Sequence, residues 1–286
     1  MSPPVYPNPL GPLDILTANY VNSMVDGIDN LTQASDGRIL QVPTAFYVHQ
    51  TGYSAPFVSV ELAVTQIKIL INGVVCATNS GTTTVVFNDI PDAPDAVYYI
   101  YAYVDSGTLL TFEASSTAPS IVDARWKSGA VGTHRYVGAF GCVAASGIGG
   151  VPSYFKTYDG NVFFVSSDAK YAGACVATSS GHASRSVTMP KVVPQSAFSP
   201  NVVVFAFASP ASAPGVDRNL SIKQGSSYAA LASGIIPSGS TAGIYFNQFQ
   251  YKALSGTLYI DDPDEPAGPN TDVSIAIVGY ADPWNP

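Results

Sequence analysis

From Val58 to Val64 the chain alternates: Val58, Val60, Leu62 and Val64 are apolar, while Ser59, Glu61 and, just beyond, Thr65 are polar. A period of two is the mark of a strand with one covered face. The parity then reverses, because Ile67, Ile69 and Ile71 are apolar while Gln66 and Lys68 are polar. A regular strand cannot move its apolar set to the other face, so a bulge or a strand break is predicted near Thr65 and Gln66. Asn72-Gly73 follows at once, flanked by Lys68 to Ile71 and Val74 to Ala77, and this is the sequence of a type I′ hairpin turn. A further strand is predicted over Thr82 to Phe87, before an acidic, proline-bearing loop from Asp89 to Asp95.

Val97 to Val104 places Val97, Tyr99, Tyr101 and Tyr103 on one face and Tyr98, Ile100, Ala102 and Val104 on the other. Aromatic and β-branched residues on both sides predict a covered scaffold strand. Asp105-Ser106-Gly107 supplies a hairpin connection to a partner strand over Leu109 to Ala114. Two more short strands, Arg125 to Lys127 and His134 to Phe140, are joined through glycines and complete an antiparallel meander.

The two ends of the chain have other patterns. Pro3, Pro4, Pro7, Pro9 and Pro12 predict an extended N-terminal arm that cannot join a central strand. Asp14 can cap a helix reaching about Leu31, with Val21, Met24, Ile28 and Leu31 at alternating spacings of three and four. A helix this short is marginal alone, so its stripe must pack. It either covers an open end of its own β-domain or serves as a docking anchor or oligomer seam. After Cys142, the small and glycine-rich stretch 143–152 reads as a linker. Beyond it come about eight short strands separated by Pro, Gly and Ser, with Asn201 to Phe207 central and Ser274 to Gly279 closing the core. The predicted fold class is all-β: two antiparallel β-sandwich domains of jelly-roll kind, preceded by a proline-rich arm and one short amphipathic helix. The divisions fall at 1–45 for the docking arm and helix, 46–142 for a scaffold domain, 143–152 for the linker and 153–286 for a C-terminal domain.

Composition sharpens this picture. Charged residues make up 11% of the chain, against about 25% in an average soluble domain, so much of the surface is neutral or covered by other chains. A net charge of -8 with no basic cluster argues against nucleic acid as a partner. No apolar run approaches the roughly 20 residues that span a bilayer, so membrane insertion is not expected. The N-terminus MSPPVYPNPLGPL lacks the basic and apolar regions of a secretory signal, which predicts synthesis and assembly in a cytoplasm. Cys76, Cys142 and Cys175 are too widely spaced for a thiolate metal site or a disulfide framework and are predicted to be buried as small hydrophobes.

Catalytic patterns are weak. His49, His134 and His182 show no metal-ligand spacing, and Ser184 near His182 has no nucleophile elbow, so neither an enzyme nor a cofactor is predicted. The acidic run Asp261, Asp262, Asp264 and Glu265 is read as a solvated loop, with calcium held beside backbone carbonyls as the alternative. Tyr228, Tyr245, Tyr251 and Trp284 are candidates for stacking on a glycan, or for packing in the core or in an oligomer interface.

The segment ARWKSGAVGTHRYVGAFG, with YYIYAYVDSGTLLTFEASSTAP before it, resembles a module recurring in virion proteins of tailed bacteriophages. There it occurs in tail or head fibres and other particle appendages, often after a short helix, to which LDILTANYVNSMVDGIDNLT is similar. The resemblance covers residues 13–142; residues 153–286 resemble nothing beyond a generic β-domain. It carries no catalytic residues. It implies a structural virion protein, assembled in the host cytoplasm, that docks through its arm and helix on capsid or tail proteins. The C-terminal domain would point outward as part of a homotrimer and meet a host-surface glycan. A decoration or head-to-tail adaptor protein without receptor binding is the alternative, and a tail-borne glycan depolymerase is a third.

Overall fold

The reversal of parity at Thr65 and Gln66 marks the passage of the chain from one sheet to another. The computed structural model describes residues 36–93, 96–121, 123–145, 148–151, 154–156, 160–164, 176–181, 184–189, 201–210, 217–238, 244–245, 249–252, 257–262 and 271–282. Its first strands are β1 (Ile39–Gln41), β2 (Phe46–Ser54), β3 (Phe57–Thr65), β4 (Lys68–Ile71), β5 (Val74–Ala77), β6 (Thr82–Pro91), β7 (Val97–Ser106), β8 (Leu109–Ser115) and β9 (Arg135–Gly141). Then come β10 (Val143–Ala145), β11 (Ile148–Gly150), β12 (Tyr154–Lys156), β13 (Asn161–Phe164), β14 (Val176–Gly181), β15 (Arg185–Thr188) and β16 (Asn201–Pro210). The last are β17 (Arg218–Lys223), β18 (Ala230–Ile236), β19 (Ile244–Tyr245), β20 (Phe249–Lys252), β21 (Thr257–Asp261) and β22 (Thr271–Ala281). No helix occurs among the described residues, and the helix predicted between Asp14 and Leu31 lies outside them.

β3 and β4 belong to different sheets. β1, β4, β5, β8, β7 and β9 make a six-stranded sheet in that order, while β3 lies in a ten-stranded sheet whose main order is β19-β16-β22-β13-β12-β2-β3-β6. β14 pairs with β22 and β20 with β16 beside that order, and β15-β21-β17-β18 form a third sheet. Val58, Val60, Leu62 and Val64 of β3 are buried, and so are Ile67, Ile69 and Ile71 after the crossing. The parity must change because the chain keeps its apolar set pointed at one shared core while moving between sheets. That core is a single cluster to which all three sheets contribute, for example Leu62, Ile69, Ile222 and Ile260. Phe87 of β6 and Phe140 of β9 meet across it at 6.5 Å between ring centroids.

Local turn chemistry agrees with the sequence. Asn72 (φ 51°) and Gly73 (φ 73°) both take the left-handed backbone that a type I′ turn requires, and β4 pairs with β5 through it. The hairpin of β7 and β8 turns at Gly107, with a register shift between Val104 and Ser106. Cys76 and Cys142 are buried free thiols, and burial pushes Cys142 up to about 12.

Three expectations are corrected. The four-strand meander is instead a sheet with β7 in the middle, β8 on one side and β9 on the other. Arg125 to Lys127 makes only isolated bridges, Trp126 to Arg135 and Lys127 to Pro119, with the Trp126 side chain turned into the main core. The glycine-rich stretch 143–152 is no linker: β10 and β11 pair as a small hairpin, Val151 is buried, and its N–H donates to Gln50 Oε1 at 3.1 Å. β12 then pairs with β2 on one side and β13 on the other, so one continuous sheet crosses the predicted boundary. Finally, the first division at 45 falls too late, since β1 is already paired with β4.

In the second half, β16 is flanked by β22 on one side and by β19 and β20 on the other, the central place predicted for it. β22 joins β13, β14 and β16, in keeping with a closing strand. The burial pattern of β3 sets a sharp contrast between its two faces. Leu62→Ala is expected to cost about 2–5 kcal/mol in urea unfolding, because it opens a cavity in the core. Glu61→Ala, on the other face, should stay within about 0.5 kcal/mol.

Candidate functional site

The motif that carries the phage resemblance folds into a clasp. Tyr99 and Tyr101 of β7, with Tyr136 and Ala139 of β9, form a second buried cluster separate from the main core. Tyr136 lies 6.2 Å from Tyr99 and 6.1 Å from Tyr101 by ring centroids, in tilted and edge-on contacts that suit aromatic rings. Thr117, Ala118 and Lys127 lie against this cluster. Tyr101 Oη donates to the carbonyl of Thr117 at 2.7 Å, and Lys127 Nζ lies 5.7 Å from the Tyr101 ring while pairing with Glu113 at 2.7 Å.

At one end of the cluster two arginines grip Asp36 and Gly37. Arg135, 2% exposed, donates from Nε to the carbonyl of Gly37 at 2.6 Å, and from Nη1 to the carbonyls of Arg125 and Tyr136. Arg125 donates from Nη1 to the carbonyl of Asp36 at 2.9 Å, while Nε and Nη2 form a fork on Asp123 at 2.9 and 2.7 Å. Gly37 itself donates to the carbonyl of Leu70 at 2.7 Å, so residues 36–38 are held between β4 and the arginines. Gly37 has φ +76°, and a Cβ there would lie 2.7 Å from Trp126 Cζ2. Only glycine fits against the indole.

The same strand reaches the other end of the chain. Tyr136 Oη donates to Asp282 Oδ2 at 2.9 Å, and Tyr280 Oη donates to the carbonyl of Ala139 at 3.2 Å. β9 therefore ties Gly37 to Tyr280 and Asp282.

Burial, with Arg125 nearby, pushes the Arg135 guanidinium down to about 10, where it is still charged at neutral pH. The hydrogen bond from Arg125 holds the Asp123 carboxyl below its ordinary range, and the one from Lys223 does the same for Asp261.

The other sequence candidates lie elsewhere. Val21, Met24, Ile28, Leu31, Asp264, Glu265 and Trp284 are outside the described residues. Tyr228 is 61% exposed in the turn after β17, its ring edge close to Gly225. Tyr245 and Tyr251 are described by backbone alone, paired with Phe207 and Val202. The acidic run starts inside the fold, which corrects the solvated-loop reading for its first two members. Asp261 accepts from Ser184 Oγ at 3.1 Å and pairs with Lys223, and buried Asp262 pairs with buried Arg218 at 2.6 Å. These pairs bind β21 to β17. Among the described residues no three His, Cys, Asp or Glu side chains come together as a metal site. Ser184 is tied down as well, because its Oγ also accepts the Asp262 N–H at 2.9 Å. His134 stacks on Tyr103 at 5.0 Å, and His49 lies 3.8 Å from Glu61. Two shallow hollows on the described surface are lined by Gln41, Thr44 and Thr65 among others, and by Asn219, Ser221 and Ser233 among others. Both linings are neutral and offer hydrogen bonds without an acid or a base. Sequence reasoning missed the clasp. The available signal was two arginines bracketing a buried stretch in a chain with only 12 Lys and Arg.

No protein-family model matches the sequence, and comparison with curated proteins finds no match. Among solved structures, the insecticidal delta-endotoxin Cry8Ea1 from Bacillus thuringiensis aligns over 87% of this chain at 10% identity with a TM-score of 0.24. The chain spans about half of that protein, 55% of its length. An exo-β-1,3-galactanase from Phanerochaete chrysosporium aligns over 85% of this chain and 67% of its own, at 12% identity and a TM-score of 0.13. Likeness this slight carries no argument about fold or function.

Two outcomes test the clasp. Gly37→Ala should lower stability by about 2–4 kcal/mol, the sum of a strained left-handed alanine and an overpacked Trp126; a loss under about 0.5 kcal/mol in urea melts would contradict the contact. Asp123 and Asp261 would titrate near about 4 when unfolded and lower when folded, so the stability they lend is present above pH 4 or so and lost as pH falls through the lowered values. Thermal midpoints should fall below about pH 4, and Asp123→Asn should flatten part of that fall.

Proposed function

We propose that the protein is a structural component of a tailed-bacteriophage particle, an appendage docked through its N-terminal segment and carrying its β body outward. The observation that supports this reading is the clasp. The residues of the phage-like motif, Arg125, Trp126 and Arg135, are those that hold Asp36 and Gly37, next in sequence to the segment proposed here to dock. Force applied through residues 1–35 would pass at Gly37 into β4 and β9, and from β9 to the last strand. Low charge fits a subunit whose surface is covered by copies of itself and by shell or tail proteins. The sheets that share the core are read here as facing layers of jelly-roll kind.

Presentation to a host-surface glycan is the finer part of the reading and rests on Tyr228, the described aromatic candidate that stands 61% exposed. Its test needs the whole body, because residues 153–286 share a sheet with β2. Glycan-array binding that survives Tyr228→Ala would remove Tyr228 from the reading.

The docking proposal is tested on particles. Purified virions from the phage that encodes the protein should contain it by mass spectrometry. A variant lacking residues 1–35 should fold, judged by its thermal transition, and be missing from complemented particles. Full occupancy by the truncated variant, or absence of the intact protein from virions, would overturn the proposal.

A further inference from the structure

The outer face of the six-stranded sheet is covered over only part of its width. On β7 and β9 its tyrosines lie beneath Thr117, Ala118 and Lys127. On β4 and β5, Ile69, Ile71 and Cys76 point into the main core, so Lys68, Leu70 and Val75 take the outer face. Leu70 and Val75 are opposite each other in the ladder, and Leu40 stands at the bulge in β1 beside β4. Val75 is 50% exposed, Leu40 47%, and Leu70 half-buried. Other exposed apolar side chains, such as Phe57, Val86 and Ile235, belong to the other two sheets. What singles out this strip is its bond to the start of the described chain. Gly37 donates its N–H to the carbonyl of Leu70, and Leu70 donates its own to the carbonyl of Arg38.

We propose that the strip of Leu40, Leu70 and Val75 is the seat of this chain's own residues 14–31, held there by the stripe of Val21, Met24, Ile28 and Leu31. Reach supports this occupant. From Leu31 to Asp36 is five residues, at most about 17 Å of chain. Neighbouring strands are about 5 Å apart, so the end of the stripe is tethered within reach of the strip and meets it at an effective concentration in the mM range. Need supports it from both sides, since a short amphipathic helix is marginal without packing and an open apolar strip calls for cover. Charge is complementary as well. Residues 14–35 carry Asp14, Asp26 and Asp29 with no Lys or Arg. At the rim of the strip stand Arg38, exposed, and Lys68, half-buried. Arg125, Lys127, Arg218 and Lys223 each pair with a carboxylate, whereas Arg38 and Lys68 meet none among the described residues. The inference concerns the isolated chain and does not rest on the virion reading. It leaves residues 1–13, the proline-rich arm, to reach a particle.

The test is hydroxyl-radical footprinting of the full chain, read by mass spectrometry at a low and a high protein concentration. Val75 and Val86 are the same residue type and similarly exposed in the described body, at 50% and 44%. With the strip covered, Val75 should take up at most about half the label of Val86 at both concentrations. Ile28→Asp puts a charge into the stripe and should raise the label on Leu40 and Val75 at least about twofold. Leu62, fully buried in the core, should stay unlabelled and so report an intact body. The double variant Met24→Ala/Ile28→Ala removes the same contacts without a charge and should move both labels in the same direction. Asn22→Asp, on the opposite side of the predicted helix, should move neither. Equal labelling of Val75 and Val86 in the full chain, or a Val75 label that the stripe variants leave unchanged, would overturn the proposal. Protection of Val75 that appears only at high concentration would give the strip to a second copy and overturn it too.

Discussion

The fold turns on a buried guanidinium. A charge removed from water costs several kcal/mol unless it is paired or fully hydrogen-bonded, and Arg135 is almost wholly enclosed. Three carbonyl oxygens, from Gly37, Arg125 and Tyr136, accept its protons, and each such bond to a charged donor is worth about 1.5–3 kcal/mol. These bonds offset the cost only while all three chain segments are in place. The nearby Arg125 adds like-charge repulsion, which its fork on Asp123 moderates. The consequence is coupling: the first described residues, the loop over the tyrosine cluster and β9 cannot come apart singly without stranding a charge. A shortened side chain at 135 would leave the Gly37 carbonyl without that donor, and the backbone around a left-handed glycine would lose its purpose.

The tyrosine row beside the clasp is the covered face that its sequence pattern predicts. Tyr99 and Tyr101 are spent on Tyr136 and on the Thr117 carbonyl, and Tyr103 at the open end stacks on His134. What looks like an aromatic ladder along the sequence is packing material beneath Thr117, Ala118, Lys127 and His134. The tyrosines are used in place of leucines because their hydroxyls can satisfy loop and terminal groups, as Tyr136 does for Asp282, while their rings fill space.

Much of the first half was legible because its signals are local. The alternation in β3, the reversal at Gln66 and the Asn72-Gly73 turn each depend on a handful of adjacent residues, and the structure realises all three. Pairings between distant segments were not legible. Nothing in the composition of 143–152 distinguishes a glycine-rich linker from the hairpin of β10 and β11, since its fate is decided by Gln50 and by β2, about a hundred residues earlier. The clasp was hidden for the same reason: Arg135 and Gly37 lie 98 positions apart, and their bond is written in neither segment alone. Asp261 and Asp262 misled because density of charge was read as exposure, whereas each has a cation across the sheet in Lys223 and Arg218.

The continuity of the ten-stranded sheet changes what a functional account must explain. With two separate domains, each half could act apart, and a linker would isolate one from the other. Here β12 joins β2 directly, and Tyr136 and Tyr280 tie β9 to the C-terminal strand and the residue after it, so the two halves are linked through backbone ladders and buried hydroxyls. Ladders of this kind resist shear because many hydrogen bonds must break together. A body built this way holds its two halves in one framework, because β2, β12, β13 and β22 are consecutive strands of one sheet.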